Sequence, residues 1–218
     1  IDDDGILNIG IYNKPTGQIM RPLEELNGHT DVVYSVSFSP DNTHFATGSA
    51  DETIRVWNKS NNFQIQILEG CTNSCNIEDV EFSQDGSILA ASTSVPENSI
   101  QIWNTLNWSK SHEILGHTSS VKSISFSPND TILASGSHDN KIKIWNTTDW
   151  TLIDTLQEHS DGITSIAFSP NGSLLASSSE NGELFIWDTS TWSITKSDLM
   201  WSNSGRNVLA FSPDGSVL

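Results

Sequence analysis

Residues 121–146, VKSISFSPNDTILASGSHDNKIKIWN, contain the pattern that decides the fold. In the segments VKSISF, TILASGS and KIKIW, β-branched or aromatic residues alternate with Ser or Lys, and clusters of Pro, Asn and Asp separate the segments. Alternation with a period of two is typical of short β-strands. Pro presets the first angle of a turn and Asn tolerates positive φ. The stretch therefore predicts β-hairpins, and no window of a dozen residues along the chain shows helical spacing.

The same pattern recurs along the chain, with a tryptophan as its marker. Trp57, Trp103, Trp145 and Trp187 follow Val or Ile and precede Asn or Asp, at spacings of 46, 42 and 42 residues. A phenylalanine followed by Ser and a turn recurs in step, at Phe38, Phe82, Phe126, Phe168 and Phe211. Each unit supplies about four short strands, and a sheet of that size buries both faces only when sheets stack radially around an axis.

These motifs, Gly-His, Phe-Ser-Pro-Asp-Gly, Ala-Ser-Gly-Ser-x-Asp and Ile-x-Ile-Trp-Asn, resemble the WD-repeat family of β-propellers over essentially the whole chain. The resemblance implies an all-β fold of four-stranded antiparallel blades, with four complete blades and two half blades. The expected division of residues 1–218 is 1–26 (half blade), 27–69, 70–115, 116–157, 158–200 and 201–218 (half blade). Two accounts remain open, a fragment of a larger, seven-bladed ring, which we favour, and a closed five-bladed ring.

In repeats of this family a His before the first strand, a Ser or Thr on the second, an Asp in the next turn and the Trp join in one hydrogen-bonded set. Ser, His and Asp also make up a nucleophilic triad. An active site is normally built once, so a constellation that occurs three times favours a structural role. Counting back 28, 10 and 6 residues from three of the tryptophans gives the expected sets: His29, Thr47, Asp51 and Trp57; His117, Ser135, Asp139 and Trp145; His159, Ser177, Asn181 and Trp187.

The second repeat departs from this pattern. Cys71 follows Gly70 in place of His, and the insertion STSVPENS lengthens the turn before Trp103, with Glu97 where Asp is expected. Two interpretations remain open, a degenerate blade held by packing alone and a recognition site formed by the longer loops. Cys71 and Cys75 are too few for a four-ligand zinc site or a disulfide scaffold, and we expect two thiols on a loop in a reducing compartment.

Composition limits the partners. The formal net charge of −17 should repel phosphate backbones and anionic lipid surfaces, so nucleic acid is not an expected main partner. No apolar run reaches the roughly 18 residues that span a bilayer, and the start, IDDDGILNIG, lacks the features of a signal peptide. We therefore expect no membrane insertion and an intracellular, cytoplasmic location.

The resemblance also implies where other proteins or peptides dock, namely the rim of one face around the central channel. Tyr34 is the best single anchor there, because aromatic residues dominate interface hot spots. A second candidate surface is Trp108, Trp150 and Trp192, for which we expect packing against the adjacent outer strand rather than an exposed adhesive patch. The expected rim residues are Val32, Tyr34, Ala50, Glu78, Ser120, Lys122, His138, Gly162, Thr164, Glu180 and Asn207.

The expected function is a protein–protein interaction scaffold or adaptor without catalysis, metal or cofactor. The alternative is a ligand-sensing or regulatory propeller of a larger signalling protein or enzyme whose active part lies outside this chain. A hydrolase that uses the channel would need an unrepeated cluster of carboxylates or histidines at its mouth, and the sequence shows none. Fold alone does not choose among these functions, because propellers host many unrelated ones.

Overall fold

The computed structural model describes residues 28–71, 74–199 and 207–218. Within these ranges the regular secondary structure is entirely β-strand, and sixteen strands form four antiparallel sheets of four strands each. No helix in the described ranges is long and apolar enough to cross a membrane. The predicted all-β fold of four-stranded antiparallel blades is confirmed.

Each sheet is built from four strands that follow one another in the chain, so neighbours in sequence are neighbours in the sheet. Blade 1 comprises β1 (Val33–Phe38), β2 (His44–Ser49), β3 (Thr53–Asn58) and β4 (Gln64–Glu69). Blade 2 comprises β5 (Ile77–Phe82), β6 (Ile88–Thr93), β7 (Ile100–Asn104) and β8 (Ser109–Ile114). Blade 3 comprises β9 (Val121–Phe126), β10 (Ile132–Ser137), β11 (Ile142–Asn146) and β12 (Leu152–Leu156). Blade 4 comprises β13 (Ile163–Phe168), β14 (Leu174–Ser179), β15 (Glu183–Asp188) and β16 (Ser193–Leu199).

The predicted half blades differ in what the structure shows. The half blade at 1–26 lies outside the described residues. In the one at 201–218, residues 207–218 form a turn in which the Gly215 N–H donates to the Ser212 carbonyl at 2.8 Å, but no strand. The Leu209 N–H nevertheless donates to the Ser165 hydroxyl at 3.0 Å, which sets this segment beside the first strand of blade 4.

The hydrophobic core lies between the blades. Three apolar clusters each join one face of a blade to the facing side of the next, and Trp103, Trp145 and Trp187 contribute to them in turn. Burial of these large apolar side chains is worth about 1.5–3 kcal/mol each. Every inter-blade layer therefore depends on a repeat tryptophan, which explains the spacing seen in the sequence.

The second strand of each blade is buried on both faces, and its small residues permit this. A Cβ placed on Gly136 would lie 2.5 Å from Ile163 Cγ2 and 3.0 Å from Ile166 Cγ2, both in the next blade. Gly48 has the same relation to Ile77, at 2.6 Å. The Ala, Ser and Gly content of these strands thus lets neighbouring sheets approach closely.

The turns between the first and second strands stack from blade to blade. A Cβ on Gly172 would lie 3.3 Å from the Cδ of Pro128 in the preceding blade. Between blades 2 and 3 the partners change: Gln84 stands at the proline position and Asp130 at the glycine position. The Asp130 carboxylate accepts the N–H groups of Gln84 and Asp85, both at 2.8 Å. Proline has no N–H to donate, so the turns that contain it lack the first of these two donors.

Cys71 and Cys75 form a disulfide, with Cα atoms 5.6 Å apart. The expectation of two free thiols is therefore wrong for this structure. Both side chains are buried in the apolar cluster between blades 1 and 2, so the disulfide is part of that layer.

The close approach at Gly136 generates a prediction. Gly136→Ala should lower the free energy of unfolding by about 1–3 kcal/mol, because the added methyl group overpacks the layer between blades 3 and 4. Thermal unfolding followed by circular dichroism measures the change. Thr148→Ala, at an exposed turn position, is the matched control and should change the midpoint little. Equal midpoints for the two variants would contradict the tight packing.

Candidate partner-binding rim and its polar supports

In blade 1 the four side chains expected to form a set lie in hydrogen-bond contact. His29 Nδ1 lies 2.8 Å from Asp51 Oδ2, and His29 Nε2 lies 2.7 Å from Thr47 Oγ1. The indole N–H of Trp57 donates to the same hydroxyl oxygen at 2.9 Å. Burial lowers the pKa of His29, and Asp51 opposes this only in part. The imidazole is therefore neutral near pH 7, with its hydrogen on Nδ1 facing the carboxylate.

Blade 3 repeats this geometry. His117 Nδ1 lies 2.9 Å from Asp139 Oδ2 and Nε2 lies 2.8 Å from Ser135 Oγ, to which the Trp145 indole N–H donates at 2.8 Å. Burial alone would raise the pKa of Asp139, but hydrogen bonds, led by the one from His117, lower it to about 2. The carboxylate is thus held ionised as the acceptor that orients the ring.

In blade 4 the acidic member of the set differs from the expected one. His159 Nε2 lies 2.7 Å from Ser177 Oγ, which also accepts the Trp187 indole N–H at 2.8 Å. His159 Nδ1 lies 3.3 Å from Glu183 Oε2, whereas Asn181 bonds to neighbouring serine hydroxyls. The assignment of Asn181 to this role is therefore wrong, because the longer Glu183 side chain reaches the ring from two residues further along.

Blade 2 has no such set. Ala91 pairs with Gln101 at the point where Thr47 pairs with Arg55, so the central hydroxyl is missing. The indole N–H of Trp103 is buried and has no hydrogen-bond partner among the described residues. The Gln101 side-chain amide instead donates to the carbonyl of Gly70.

The three complete sets are unsuited to nucleophilic catalysis. The Ser135 and Ser177 side chains are fully buried, so no substrate reaches their hydroxyl oxygens. Each hydroxyl oxygen already accepts an indole N–H, and this lowers its availability as a nucleophile. Buried polar groups without partners are costly, and these bonds supply the partners. In these blades the sets brace the loop that enters the first strand against the second and third strands.

Within the four sheets, the expected rim residues lie where each first strand begins and each second strand ends. The residue before each first strand accepts a backbone hydrogen bond from the residue after the second strand, as from Ala50 to Val32 at 2.8 Å and from His138 to Ser120 at 2.9 Å. Val32 is 45% exposed, and Glu180 is also exposed. The half-buried members are Tyr34, Ala50, Lys122, His138, Thr164 and Asn207.

Three expected rim residues are buried, namely Glu78, Ser120 and Gly162. Lys122 Nζ lies 2.6 Å from Glu78 Oε1, across the boundary of blades 2 and 3. The Ser120 hydroxyl accepts the N–H of Val95 at 3.2 Å and so holds the long loop of blade 2 against blade 3. The expected role of these three residues as direct docking contacts is corrected. The side chains of Glu78 and Ser120 instead support the rim from within.

A ladder of hydrogen bonds, not predicted from the sequence, joins the first strands of neighbouring blades. The hydroxyls of Ser35 and Ser37 accept the N–H groups of Val80 and Phe82 in the next blade, at 3.3 and 3.1 Å. Serines of β9 accept in the same way from β13. The signal was the Ser-x-Ser alternation in YSVSF and KSISF.

Carboxylates replace these serines between blades 2 and 3. Asp79 Oδ2 accepts the Ile124 N–H at 3.0 Å, and Glu81 Oε2 accepts the Phe126 N–H at 2.8 Å. Burial raises the pKa of Asp79. Burial, with the nearby charge of Asp79, raises the pKa of Glu81 well above its usual value. An ionised Glu81 is thus more costly in the folded chain than in the unfolded chain.

The tryptophans that follow each outer turn pack inward. Trp108 and Trp150 are half-buried, and each contacts a histidine of the preceding blade, with ring centroids 6.4 Å from His44 and 6.1 Å from His112. Trp192 packs against the cluster between blades 3 and 4. Packing, rather than an exposed patch, describes these residues.

The contrast between blades 2 and 3 generates a paired prediction. Ser135→Ala should reduce stability by about 1–3 kcal/mol, because it leaves a buried indole N–H and an imidazole without their partner. Ala91→Ser should raise stability by about 1 kcal/mol, because it supplies an acceptor for the Trp103 indole. Urea unfolding of both variants and of the parent chain measures these changes. If Ala91→Ser lowered the midpoint as much as Ser135→Ala does, a hydroxyl would not be accommodated at position 91 and the prediction would be contradicted.

The raised pKa of Glu81 predicts a pH effect. The folded chain binds more protons at this site than the unfolded chain, so its contribution to stability is lost as pH rises through the folded pKa. Glu81→Gln keeps an acceptor for the Phe126 N–H without a charge. Its melting temperature should exceed that of the parent at pH 8, with a difference that shrinks towards pH 4.5. Glu113→Gln, at an exposed position in the same blade, is the control. A melting-temperature advantage of Glu81→Gln that grows as pH falls would contradict the prediction.

Comparison with known proteins agrees with this architecture. A family model described as the echinoderm microtubule-associated protein second β-propeller matches residues 33–215. Protein HIR1 of Candida albicans is 34% identical over an alignment 140 residues long, and the match covers 57% of this chain and 15% of that protein. FIZZY-RELATED 3 of Arabidopsis thaliana is 25% identical over 122 residues, or 55% of this chain and 25% of that protein. Nuclear distribution protein nudF 1 of Talaromyces marneffei is 31% identical over 115 residues, or 52% and 25%.

The chain spans a quarter or less of the length of these relatives. Propellers of this type generally bind other proteins and are generally non-catalytic. The fold, the repeated Trp-centred sets and the family match over most of the chain lead to one assignment. The chain belongs to the WD-repeat β-propeller family, in the group described as the second β-propeller of echinoderm microtubule-associated protein, and has an interaction or regulatory role.

Proposed function

We propose that this chain is a scaffold or adaptor module that docks another protein or peptide on its rim and performs no catalysis. The observation that carries the proposal is the division of polar groups between interior and edge. The Ser, His and acidic side chains that resemble a catalytic triad are enclosed in three blades, while the rim they brace presents accessible residues of mixed character.

The rim offers apolar anchors on fixed backbone. Val32 is 45% exposed, and Tyr34 is half-buried two residues further along, at the start of β1. Val95, on the long loop of blade 2, is 53% exposed, and its N–H is held by Ser120. Anchors of this kind, surrounded by polar neighbours that exclude water, are the usual sources of binding energy at interfaces.

Charge narrows the class of partner. The net charge of −17 attracts a basic surface at long range and repels nucleic acid. Lys122 already pairs with Glu78, so it does not supply the clustered cations that bind a phosphopeptide. A protein or peptide with an excess of Lys and Arg is the partner that this surface favours.

A second candidate is a regulatory or ligand-sensing propeller within a longer protein. The observation that favours it is the small share of each relative that this chain matches, 15% of Protein HIR1 for example. Both candidates use the same rim, so they differ in what the partner does and not in where it binds.

The test is affinity capture with the parent chain, Tyr34→Ala and Leu106→Ala as baits, followed by titration of the captured protein in purified form. Leu106 is 92% exposed on the outer hairpin of blade 2, which makes it a matched control away from the rim. Tyr34→Ala should raise the dissociation constant about tenfold or more, whereas Leu106→Ala should leave it unchanged.

Circular dichroism and melting temperature confirm that each bait is folded. A partner that binds the parent and Tyr34→Ala equally but is lost from Leu106→Ala would place docking on the outer surface and contradict the rim assignment. Turnover of a substrate by the purified parent chain would contradict the non-catalytic role.

A further inference from the structure

Blade 2 brings together three side chains of metal-binding type where the other blades have a histidine and an acid. The two cysteine sulfurs and a carboxylate oxygen of Glu97 all lie within 4.8 Å of one another. Cys75 Sγ lies 3.6 Å from Glu97 Oε2. Cys71 is 7% and Cys75 1% exposed, while Glu97 is half-buried, so the two sulfurs lie under the surface and the residue that carries the carboxylate is partly accessible.

The surroundings of this group differ from those of the three polar sets. Besides the Trp103 indole N–H, the hydroxyl of Ser92 and the amide oxygen of Gln101 are buried and have no hydrogen-bond partner among the residues that the structure describes. The other end of the Gln101 amide donates to the carbonyl of Gly70, next to Cys71. Within the described residues, blade 2 therefore lacks the imidazole–hydroxyl–indole chain and contains buried polar atoms without a partner, of which the Gln101 amide lies next to the cysteines.

We propose that the reduced Cys71 and Cys75, together with Glu97, bind a zinc-type divalent cation, and that the disulfide closes this site. A dithiol reductant opens it: the S–S bond breaks, two electrons and two protons pass to the cysteines, and the dithiol becomes a cyclic disulfide. The cation then binds the two sulfurs as thiolates and releases their two protons.

The geometry suits such an ion. Zinc–sulfur bonds of about 2.3 Å at tetrahedral angles place two sulfurs about 3.8 Å apart. The Cα atoms stand 5.6 Å apart, so side-chain rotation alone separates the sulfurs to that distance. Thiolates favour zinc-like ions over Mg²⁺ and Ca²⁺, and a carboxylate is an accepted third zinc ligand. Three protein ligands leave the fourth position to water, which reaches the site past the half-buried Glu97.

The test uses the whole chain and Co²⁺ as a spectroscopic probe. A water-soluble phosphine reduces the disulfide, taking the oxygen of one water as two thiols form, and is removed before titration. The reduced parent should bind one Co²⁺ with a thiolate-to-cobalt charge-transfer band and visible bands of tetrahedral cobalt, and added Zn²⁺ should abolish both. The unreduced parent should show neither band.

Variants separate the ligands. Cys75→Ser should lose the charge-transfer signal of the two-thiolate site. Glu97→Gln, which leaves both thiols in place, should weaken Co²⁺ binding at least tenfold, whereas Glu113→Gln, an exposed carboxylate of the same blade, should leave it unchanged.

Three results would overturn the proposal. The first is a reduced parent with no more Co²⁺ signal than the unreduced chain. The second is equal affinity for Glu97→Gln and Glu113→Gln. The third is loss of the β-sheet circular dichroism on reduction, because a folded reduced site would then not exist.

Discussion

The first strand of every blade is a sheet edge, and its unpaired N–H groups must find acceptors. An edge left unpaired invites association with other strands, and a buried N–H without a partner costs free energy. This fold meets the requirement with side chains of the preceding blade: Ser35 and Ser37 accept from β5, and Asp79 and Glu81 accept from β9. Because the acceptors are side chains and not backbone, neighbouring sheets stand face to face, and the apolar layers that hold them together follow from that arrangement.

The same demand for partners explains why these sets resemble a catalytic triad. A hydroxyl that bridges an imidazole and an indole, as Thr47 does, ties three segments of one blade together and leaves no reactive group at the surface. The loop that leads into the first strand is thereby held in place, and preorganised side chains lower the entropic cost of binding a partner. Blade 2, which lacks this bridge, is where the structure departs most from a plain interaction surface.

Much of the fold was predictable from the sequence, because period-two alternation, turn chemistry and the Trp spacing are local signals. The sets around Trp57 and Trp145 followed from fixed offsets within regular repeats. The prediction for Asn181 was wrong because counting offsets assumes that the acidic side chain always has the same position and length. Glu183 instead reaches the His159 ring from a position two residues further along. The buried state of Glu78 and the carboxylates that accept inter-blade N–H groups could not be predicted, since each depends on a neighbouring blade that a single repeat does not reveal. The disulfide could not be predicted either, because two cysteines four residues apart can be free or bonded.

The turn substitution between blades 2 and 3 has a consequence for assembly. Repeats of nearly identical sequence can dock in the wrong order while folding, which is a characteristic failure of repeat proteins. The backbone N–H of Gln84 donates to the Asp130 carboxylate, whereas the other turns have at that position glycine, which has no side-chain acceptor, or a neutral asparagine. A mispaired neighbour would leave that hydrogen unbonded and the Asp130 charge without its two donors. An irregularity of this kind therefore favours docking of blade 3 beside blade 2 over docking of another blade there.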